Sequence, residues 1–307
     1  MGFRVLASDP LDPKAVAAMR EAGLEVDEKT GLTPEQLVVD IAAYDAIVIR
    51  SATKVRANII DAGTNLKLVV RAGVGLDNVD VDYAVSKGVS VRNTPAASSN
   101  SVAELAVGHM FSLARHISRA TASTKAGAWE KKLLKGIEIA GKTLGIIGIG
   151  RIGQSLAKKA DALGMNVLCC DAFLAESPIA DVAPMVGLDE LLGKSDFISL
   201  HIPFDPKVGA SISTAQFALM KDGVYLVNCA RGGVIDEDAL VAALTSGKVA
   251  GVALDVFETE PPAADHPLFA FDNVSLTPHI GAATKEAQAR VGKEAADIVI
   301  EFARSSS

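Results

Sequence analysis

The sequence has little of what secreted, membrane-spanning or nucleic-acid-binding proteins require. Its three cysteines are an odd number without a regular spacing, which indicates reduced thiols in a cytoplasmic protein rather than a disulfide framework. No apolar run is long and uncharged enough to cross a membrane, and early charged and turn-forming residues argue against a signal peptide. The net charge of −7 argues against nucleic-acid and anionic membrane partners. Hydrophobic residues make up 49% of the chain but aromatic ones only 5%, so we expect aliphatic cores, and the length suits two domains.

Short apolar runs alternate with helical patterns along the chain. A first series of buried strands is predicted at residues 5–7, 46–49, 68–70 and 88–91. A second series begins at Thr143 and continues at residues 197–200, 224–227, 251–254 and 274–276. Long helices are predicted over residues 102–115 and 285–303. This alternation predicts an α/β fold of two doubly wound parallel-sheet domains, Rossmann- or flavodoxin-like, with a cleft between them.

The most specific motif lies in residues 143–153, where an apolar run leads into a Gly-x-Gly-x-x-Gly turn. Gly148 permits the tight turn, Gly150 allows a diphosphate to approach the backbone, and Gly153 allows helix and strand to pack closely. Unpaired amides at the start of the following helix, near Arg151 and Ile152, would bind the diphosphate. Such a turn also occurs in other α/β proteins, but between a strand and a helix it predicts dinucleotide binding.

An acidic residue indicates which dinucleotide is bound. Asp171 ends the next apolar run, 18 residues after Gly153, where it would accept hydrogen bonds from the adenosine ribose. Its charge would repel a 2′-phosphate and no arginine or lysine follows closely, so NAD is favoured over NADP. His201, which follows another apolar strand, is predicted to line or support the cofactor site. No metal site is predicted.

Three predicted strand ends supply groups for chemistry on a 2-oxo acid. Arg231 can bind a carboxylate through two parallel hydrogen bonds. His279 can give a proton to the carbonyl oxygen while NADH gives hydride to carbon, and the reverse reaction would oxidise a 2-hydroxy acid. An acid would hold the histidine ring and favour its charged form, and both Glu258 and Glu260 are candidates. Taken singly, each of these residues could equally be an ordinary loop residue.

Together the motifs resemble the D-isomer-specific 2-hydroxyacid dehydrogenases over essentially the whole chain. The resemblance rests on RSATKV (50–55), RAGVGLDNVD (71–80), NTP (93–95), GIGRIG (148–153), NCARGGVIDE (228–237), the acidic segment from Asp255 and PHIGAAT (278–284). The first two segments are most similar to the phosphoglycerate branch, which implies NAD-dependent oxidation of 3-phospho-D-glycerate to 3-phosphohydroxypyruvate. The family's fold implies a substrate-binding domain of residues 1–97 plus 283–307 and an NAD-binding Rossmann domain of residues 98–282.

The resemblance also implies roles for single residues. It makes Arg231, Glu260 and His279 the catalytic set, with Glu260, directly before Pro261, as the acid instead of Glu258. The implied NAD contacts are Arg151, Ile152, Asp171, Cys229, Ala230, Arg231, Asp255, Gly281 and Ala282. The implied substrate contacts are Arg50, Ser51, Val74, Gly75, Arg231 and His279, with Lys131 as a further candidate for binding a phosphate.

Two positions depart from the family pattern. Val74 stands where many relatives carry a hydroxyl residue, and Ile202 replaces a small polar residue, so a cofactor hydrogen bond is either missing there or made by the backbone. The family is usually dimeric, so we expect a homodimer in which the long helix and the stretch near Trp129 contact the partner. Because the sequence ends after one substrate-domain helix, no serine-binding regulatory domain is expected.

Two alternatives stay open besides this expected reaction on a small anionic 2-hydroxy or 2-oxo acid. Another dehydrogenase of the same family, acting on glyoxylate, hydroxypyruvate or D-lactate, would not need basic groups for a phosphate. An NAD-sensing binding protein, similar to transcriptional corepressors, would not need the complete set of Arg231, Glu260 and His279.

Overall fold

The computed structural model describes residues 2–305, and the chain divides into two compact units. The first unit contains the residues up to Ser98 and those from Ala282 onward, and the second contains Ser99–Gly281. Each boundary lies one residue from the predicted one. The assignment of substrate binding to the first unit and NAD binding to the second stays a prediction.

The first unit is built on one parallel five-stranded sheet with the strand order β2-β1-β3-β4-β5, which is the order of flavodoxin-like sheets. Its strands are β1 (Arg4–Ala7), β2 (Glu25–Glu28), β3 (Ala46–Ile49), β4 (Leu68–Arg71) and β5 (Ser90–Asn93). Its helices are α1 (Pro13–Glu21), α2 (Pro34–Asp40), α3 (Ala57–Ala62), α4 (Val81–Ser86) and the last helix of the chain, α11 (Lys285–Ser305). The runs predicted at residues 5–7, 46–49 and 68–70 form the central strands β1, β3 and β4, because both faces of a parallel sheet are buried. The run predicted at 88–91 corresponds to the edge strand β5, which begins two residues later.

The last helix returns to this first sheet. Val291, Ala295 and Val299 of α11 belong to the same buried cluster as Val5 and Leu68 of the sheet. Two segments far apart in sequence therefore complete one hydrophobic core.

The second unit contains a parallel six-stranded sheet with the order β11-β10-β9-β8-β6-β7. Its strands are β6 (Thr143–Ile147), β7 (Asn166–Cys170), β8 (Phe197–Leu200), β9 (Val224–Asn228), β10 (Val249–Leu254) and β11 (Val274–Leu276). Its helices are α5 (Ser99–Arg115), α6 (Ile117–Lys125), α7 (Arg151–Ala162), α8 (Leu188–Lys194), α9 (Thr214–Leu219) and α10 (Glu237–Thr245). Beyond β7, Met185 makes a single parallel bridge to Cys169. With this bridge as a rudimentary third strand, the sheet has the strand order of a dinucleotide-binding fold extended by one strand.

The predicted fold class of two parallel-sheet α/β domains is confirmed, with local corrections. The long helix begins at Ser99, three residues before the predicted start, so part of the polar stretch before it is helical. Within residues 2–305, none of the helices is long and apolar enough to cross a membrane. All three cysteines are buried and free of disulfides.

Candidate active site

The glycine turn has the geometry that a bound dinucleotide needs. Gly148 has φ +95°, in the left-handed region that favours glycine. A Cβ on Gly153 would lie 2.2 Å from the carbonyl oxygen of Gly148, so only glycine allows α7 to begin this close to the end of β6. A Cβ on Gly150 would meet no atom within 4 Å, which leaves open space beside the first turn of α7, where Arg151 and Ile152 lie. Such a glycine turn at a helix start fits a diphosphate.

Asp171 lies directly after β7 and is hydrogen-bonded to the backbone of this glycine turn. Its Oδ2 accepts a hydrogen bond from the amide of Ile149 at 2.9 Å, and its Oδ1 accepts one from the amide of Phe173 at 2.9 Å. A carboxylate offers about four acceptor positions, so this side chain retains capacity for ribose hydroxyls. The structure thus links the acidic residue to the glycine turn through the backbone.

His201, at the carboxyl end of β8, is held as a neutral ring. Its Nε2 lies 2.9 Å from the hydroxyl of Ser199, and its Nδ1 is buried without a hydrogen-bond partner among the residues that the structure describes. Burial lowers the pKa of His201 to about 4, because the charged form is poorly solvated there. A Cβ on Gly148 would lie 2.6 Å from the carbonyl oxygen of His201, so this histidine packs against the glycine turn. Its orphaned ring nitrogen is available to a polar group of a ligand.

A histidine–glutamate pair forms the centre of the candidate active site. The Nδ1 of His279 lies 2.7 Å from Oε2 of Glu260, and Oε1 of Glu260 accepts a hydrogen bond from the amide of Phe257 at 3.2 Å. Burial alone would raise the pKa of Glu260, but the hydrogen bond and charge of His279, with the charge of Arg231, hold it below its ordinary value. Both side chains keep access to solvent, with exposed fractions of 44% for His279 and 37% for Glu260.

Asp255 fixes the loop that carries His279. This carboxylate is only 1% exposed and directly follows β10. Its Oδ1 accepts from the Thr277 hydroxyl at 2.6 Å and the Ile280 amide at 2.8 Å, and its Oδ2 accepts from the Gly281 amide at 2.8 Å. The amide of His279 donates to the carbonyl oxygen of Asp255 at 2.8 Å, and His279 itself adopts φ +54°. Four hydrogen bonds to one residue thus hold the histidine in a left-handed backbone conformation.

Arg231 lies on the turn after β9 and is positioned by a buried asparagine. Asn228 donates through Nδ2 to the carbonyl oxygen of Arg231 at 2.9 Å and accepts from the amide of Ala230 at 3.0 Å. A Cβ on Gly232 would lie 1.7 Å from the carbonyl oxygen of Phe257, so the absence of a side chain lets this turn touch the segment that leads to Glu260. The second unit therefore brings Arg231, Glu260 and His279 together from three successive strand ends.

The structure also separates the two candidate acids. The amide of Glu258 donates to Oε1 of Glu237 at 3.0 Å, and its carboxylate accepts from the amide of Glu237 at 3.5 Å. Burial raises the pKa of Glu258, and the neighbouring charge of Glu237 raises it further. Glu260, which the resemblance singled out, is the acid that contacts His279.

The other predicted residues are divided between the two units. Cys229 and Ala230 are buried on the Arg231 turn, Gly281 follows the His279 loop, and Lys131 lies beside the exposed Trp129. In the first unit, Arg50 and Ser51 follow β3, and Val74 and Gly75 lie between β4 and α4. The carbonyl oxygen of Val74 accepts from the Asn93 side chain, and that of Arg50 accepts from Asn78. Ala282 begins the chain's return to the first unit.

Two supporting residues carried no predicted role. Asn228 is the first residue of the NCARGGVIDE motif, and its position at the end of an apolar strand is the feature of the sequence that indicates a supporting role. His109 belongs to none of the motifs and lies in the middle of α5, on its buried face.

A parallel sheet with a dinucleotide turn, and a histidine paired with a glutamate beside an arginine at its strand ends, is the arrangement expected of the D-isomer-specific 2-hydroxyacid dehydrogenases. Residues 107–281 match the family model described as "D-isomer specific 2-hydroxyacid dehydrogenase, NAD binding domain". The chain belongs to that family, and its cofactor is NAD.

Named relatives agree with this family. The chain is 52% identical to hydroxypyruvate reductase of Thermotoga maritima over 295 residues, covering 95% of both. It is 46% identical to D-3-phosphoglycerate dehydrogenase of Archaeoglobus fulgidus over 303 residues, covering 98% of this chain but 58% of that relative. It therefore spans little more than half the length of the phosphoglycerate relative. The crystal structure of D-lactate dehydrogenase from Aquifex aeolicus, complexed with NAD and lactic acid, has a TM-score of 0.84 and 33% identity, covering 98% of this chain and 96% of that one.

Proposed function

We propose that this chain is an enzyme that oxidises 3-phospho-D-glycerate to 3-phosphohydroxypyruvate with NAD, and that it catalyses the reverse reduction. The observation that carries the dehydrogenase chemistry is the 2.7 Å contact between His279 and Glu260 beside Arg231. The phosphorylated substrate is supported by relatives named D-3-phosphoglycerate dehydrogenase, 46% and 49% identical over nearly the whole of this chain. It is also supported by the segments from Arg50 and Arg71.

The roles of the three side chains follow from their contacts. Since Glu260 is an acceptor, the Nδ1 of His279 carries the proton and its Nε2 carries the lone pair when the ring is neutral. In oxidation this Nε2 removes the proton from the C2 hydroxyl, and in reduction the imidazolium returns it. Arg231 binds the substrate carboxylate and polarises the adjacent carbonyl. Bound NAD supplies the hydride acceptor.

The same proposal assigns the cofactor contacts. The turn from Gly148 to Gly153 and the start of α7 at Arg151 and Ile152 would hold the diphosphate, and Asp171 the adenosine ribose. The neutral ring of His201, the turn residues Cys229 and Ala230, and the segment of Asp255, Gly281 and Ala282 would line the rest of the cofactor site. Because the carboxylate of Asp255 already accepts three hydrogen bonds, one from the Thr277 hydroxyl and two from backbone amides, its contribution is to hold the loop more than to bind NAD directly.

A second candidate function is reduction of hydroxypyruvate. It is favoured by the relative from Thermotoga maritima, which is named hydroxypyruvate reductase and matches 95% of both chains at 52% identity. The two substrates differ in a phosphate group, for which Arg50 and Lys131 are the proposed ligands. Ser51, Val74 and Gly75 are also proposed to line the substrate side. A phosphate bound by one arginine contributes about 1.5–3 kcal/mol, so the binding of the two substrates would differ clearly.

Substrate comparison tests the proposal directly. We would measure kcat/KM for NADH oxidation with 3-phosphohydroxypyruvate, hydroxypyruvate, glyoxylate and pyruvate. A preference of at least about tenfold for the phosphorylated acid, with a raised KM for this substrate alone in Arg50→Ala, would support the proposal, since one charged contact is worth about that factor. A higher kcat/KM with hydroxypyruvate would favour the second candidate.

The assembly that we propose is a cytoplasmic homodimer in which residues 1–97 with 283–307 bind substrate and residues 98–282 bind NAD. Its support is a set of exposed apolar side chains: Ile117 of α6, Trp129 and Leu133 are 48%, 84% and 65% exposed. A patch of this kind is typical of a surface covered by a partner. Sedimentation of the active enzyme tests this, and a fully active monomer would contradict it. The buried free thiols are compatible with a reducing compartment.

A further inference from the structure

A buried histidine of the second unit, His109, lies behind the catalytic loop. It is 3% exposed and belongs to α5, far in sequence from the loop. Its Nδ1 lies 2.9 Å from the hydroxyl of Ser275, and its Nε2 lies 3.1 Å from the hydroxyl of Thr277. Both partners precede His279 on the segment that forms β11 and the start of the loop.

The proton positions in this arrangement follow from one hydroxyl group. Thr277 has a single hydroxyl proton, and its 2.6 Å contact with Oδ1 of Asp255 requires that proton, because a carboxylate is only an acceptor. Nε2 of His109 must then be the donor to Thr277. A neutral ring has one N–H, so Nδ1 then carries the lone pair and faces the Ser275 hydroxyl, which also lies 3.0 Å from Oγ of Ser112. Burial lowers the pKa of His109, against the opposing charge of Asp255, which favours that neutral ring.

The Nε2–H of His109 therefore orients the Thr277 hydroxyl toward Asp255. Asp255 in turn holds the amides of Ile280 and Gly281 and, through its carbonyl oxygen, the amide of His279. Helix α5 supports the same loop a second time, because the Ser101 hydroxyl donates to the carbonyl oxygen of Gly281 at 2.6 Å.

We propose that His109, with its proton on Nε2, is a positioning residue that keeps the His279 loop in its reactive geometry. The part of this inference that concerns turnover rests on the proposed dehydrogenase function. Because His109 is buried, it acts through Thr277 and Asp255 and not by direct contact with the reacting groups.

Two variants separate positioning from a merely structural role. His109→Leu fills the space but removes the donor, whereas His109→Gln places an amide nitrogen at about the distance of Nε2 and keeps it. Loss of one buried hydrogen bond corresponds to about a fivefold to tenfold fall in kcat for His109→Leu. We expect unchanged NADH-binding stoichiometry and a KM within about twofold, because a positioning defect leaves binding intact. His109→Gln should return kcat to within about twofold of the original enzyme.

Hydrogen exchange of the peptide that contains Ile280 and Gly281 gives a readout that does not need turnover. It should be faster in His109→Leu and close to normal in His109→Gln. Unchanged kcat and exchange in His109→Leu, or equal losses in both variants, would overturn the proposal. If the unmodified enzyme reduces no 2-oxo acid, the proposed function fails, while the exchange comparison still decides whether His109 holds the loop.

Discussion

Replacement of Glu260 by glutamine tests the catalytic pair most sharply, because the amide cannot satisfy both contacts of the carboxylate. Oε1 of Glu260 accepts from the amide of Phe257, and Oε2 faces Nδ1 of His279. If the glutamine oxygen keeps Phe257, its NH₂ group faces Nδ1 and drives the ring proton to Nε2. The neutral ring then has no lone pair toward the substrate and cannot act as the base.

The size of the effect follows from these contacts. A hydrogen bond to a charged group is worth about 1.5–3 kcal/mol. Because the exposed fractions of His279 and Glu260 are 44% and 37%, solvent screening favours the lower half of that range. About 1.5–2 kcal/mol corresponds to a fall of about 10- to 30-fold in kcat. Trapping of the wrong tautomer adds to this, and in the serine-protease triad that effect reaches about 10⁴-fold.

The assay is kcat in both directions near neutral pH, with the Glu258→Gln variant as the matched control. We expect Glu260→Gln to lose at least about 10-fold, with a larger loss in oxidation, which needs the Nε2 lone pair. Glu258 contacts Glu237 instead of His279, so its variant should remain close to the original rate. Equal losses in the two variants, or full activity of Glu260→Gln, would refute the reasoning.

Four further predictions follow from the same geometry. His279→Ala should lower kcat by about 10²–10⁴-fold while NADH still binds, and near-normal turnover would exclude it as the proton carrier. Asp171→Ala should weaken NADH binding by about 1–3 kcal/mol, which titration by fluorescence would measure; an unchanged dissociation constant would contradict the ribose assignment. Gly232→Ala should abolish turnover, because its Cβ would lie 1.7 Å from the carbonyl oxygen of Phe257; the urea midpoint would show whether the fold survives. Burial lowers the pKa of His201 from 6.5 to about 4. Between pH 6.5 and about 4 the unfolded chain therefore binds a proton at this residue that the folded chain does not, so the protein becomes less stable as the pH falls through this range. His201→Gln should make the urea midpoint less sensitive to pH in that window, and equal sensitivity would contradict the burial argument.

The features that were predicted correctly are local in sequence. The glycine turn and Asp171 lie on consecutive elements of one βαβ unit, so their spacing already determines that they meet. The order of polar groups at strand ends likewise predicted that Arg231 would lie near the histidine and its acid, since parallel strands end at the same edge of a sheet, and Arg231 is close enough for its charge to lower the pKa of Glu260. Their catalytic roles stay predictions.

What residue patterns could not predict depends on distant contacts. The choice between Glu258 and Glu260 rests on how the segment after β10 folds against Gly232 and Phe257, and only the family resemblance indicated it. The partners of His109 lie 166 and 168 residues away, so no local pattern reveals its role. Strand β2 was missed because only Val26 of its side chains is buried, and an edge strand pairs through its backbone.

The return of α11 to the first sheet has a consequence for synthesis on the ribosome. The helix residues Val291, Ala295, Ala296 and Val299 complete a core whose other buried members lie within residues 5–97. The whole second unit, roughly 180 residues, is made in between. At typical elongation rates of about 5–20 residues per second, the part of the apolar sheet face that α11 covers, beside α1, stays exposed for on the order of ten to forty seconds. When α11 is synthesised, all strands of the second unit have already been made. The first unit, although its translation begins first, is therefore the last whose hydrophobic core can be completed. Nascent chains stalled before α11 should therefore recruit chaperones through the amino-terminal sheet.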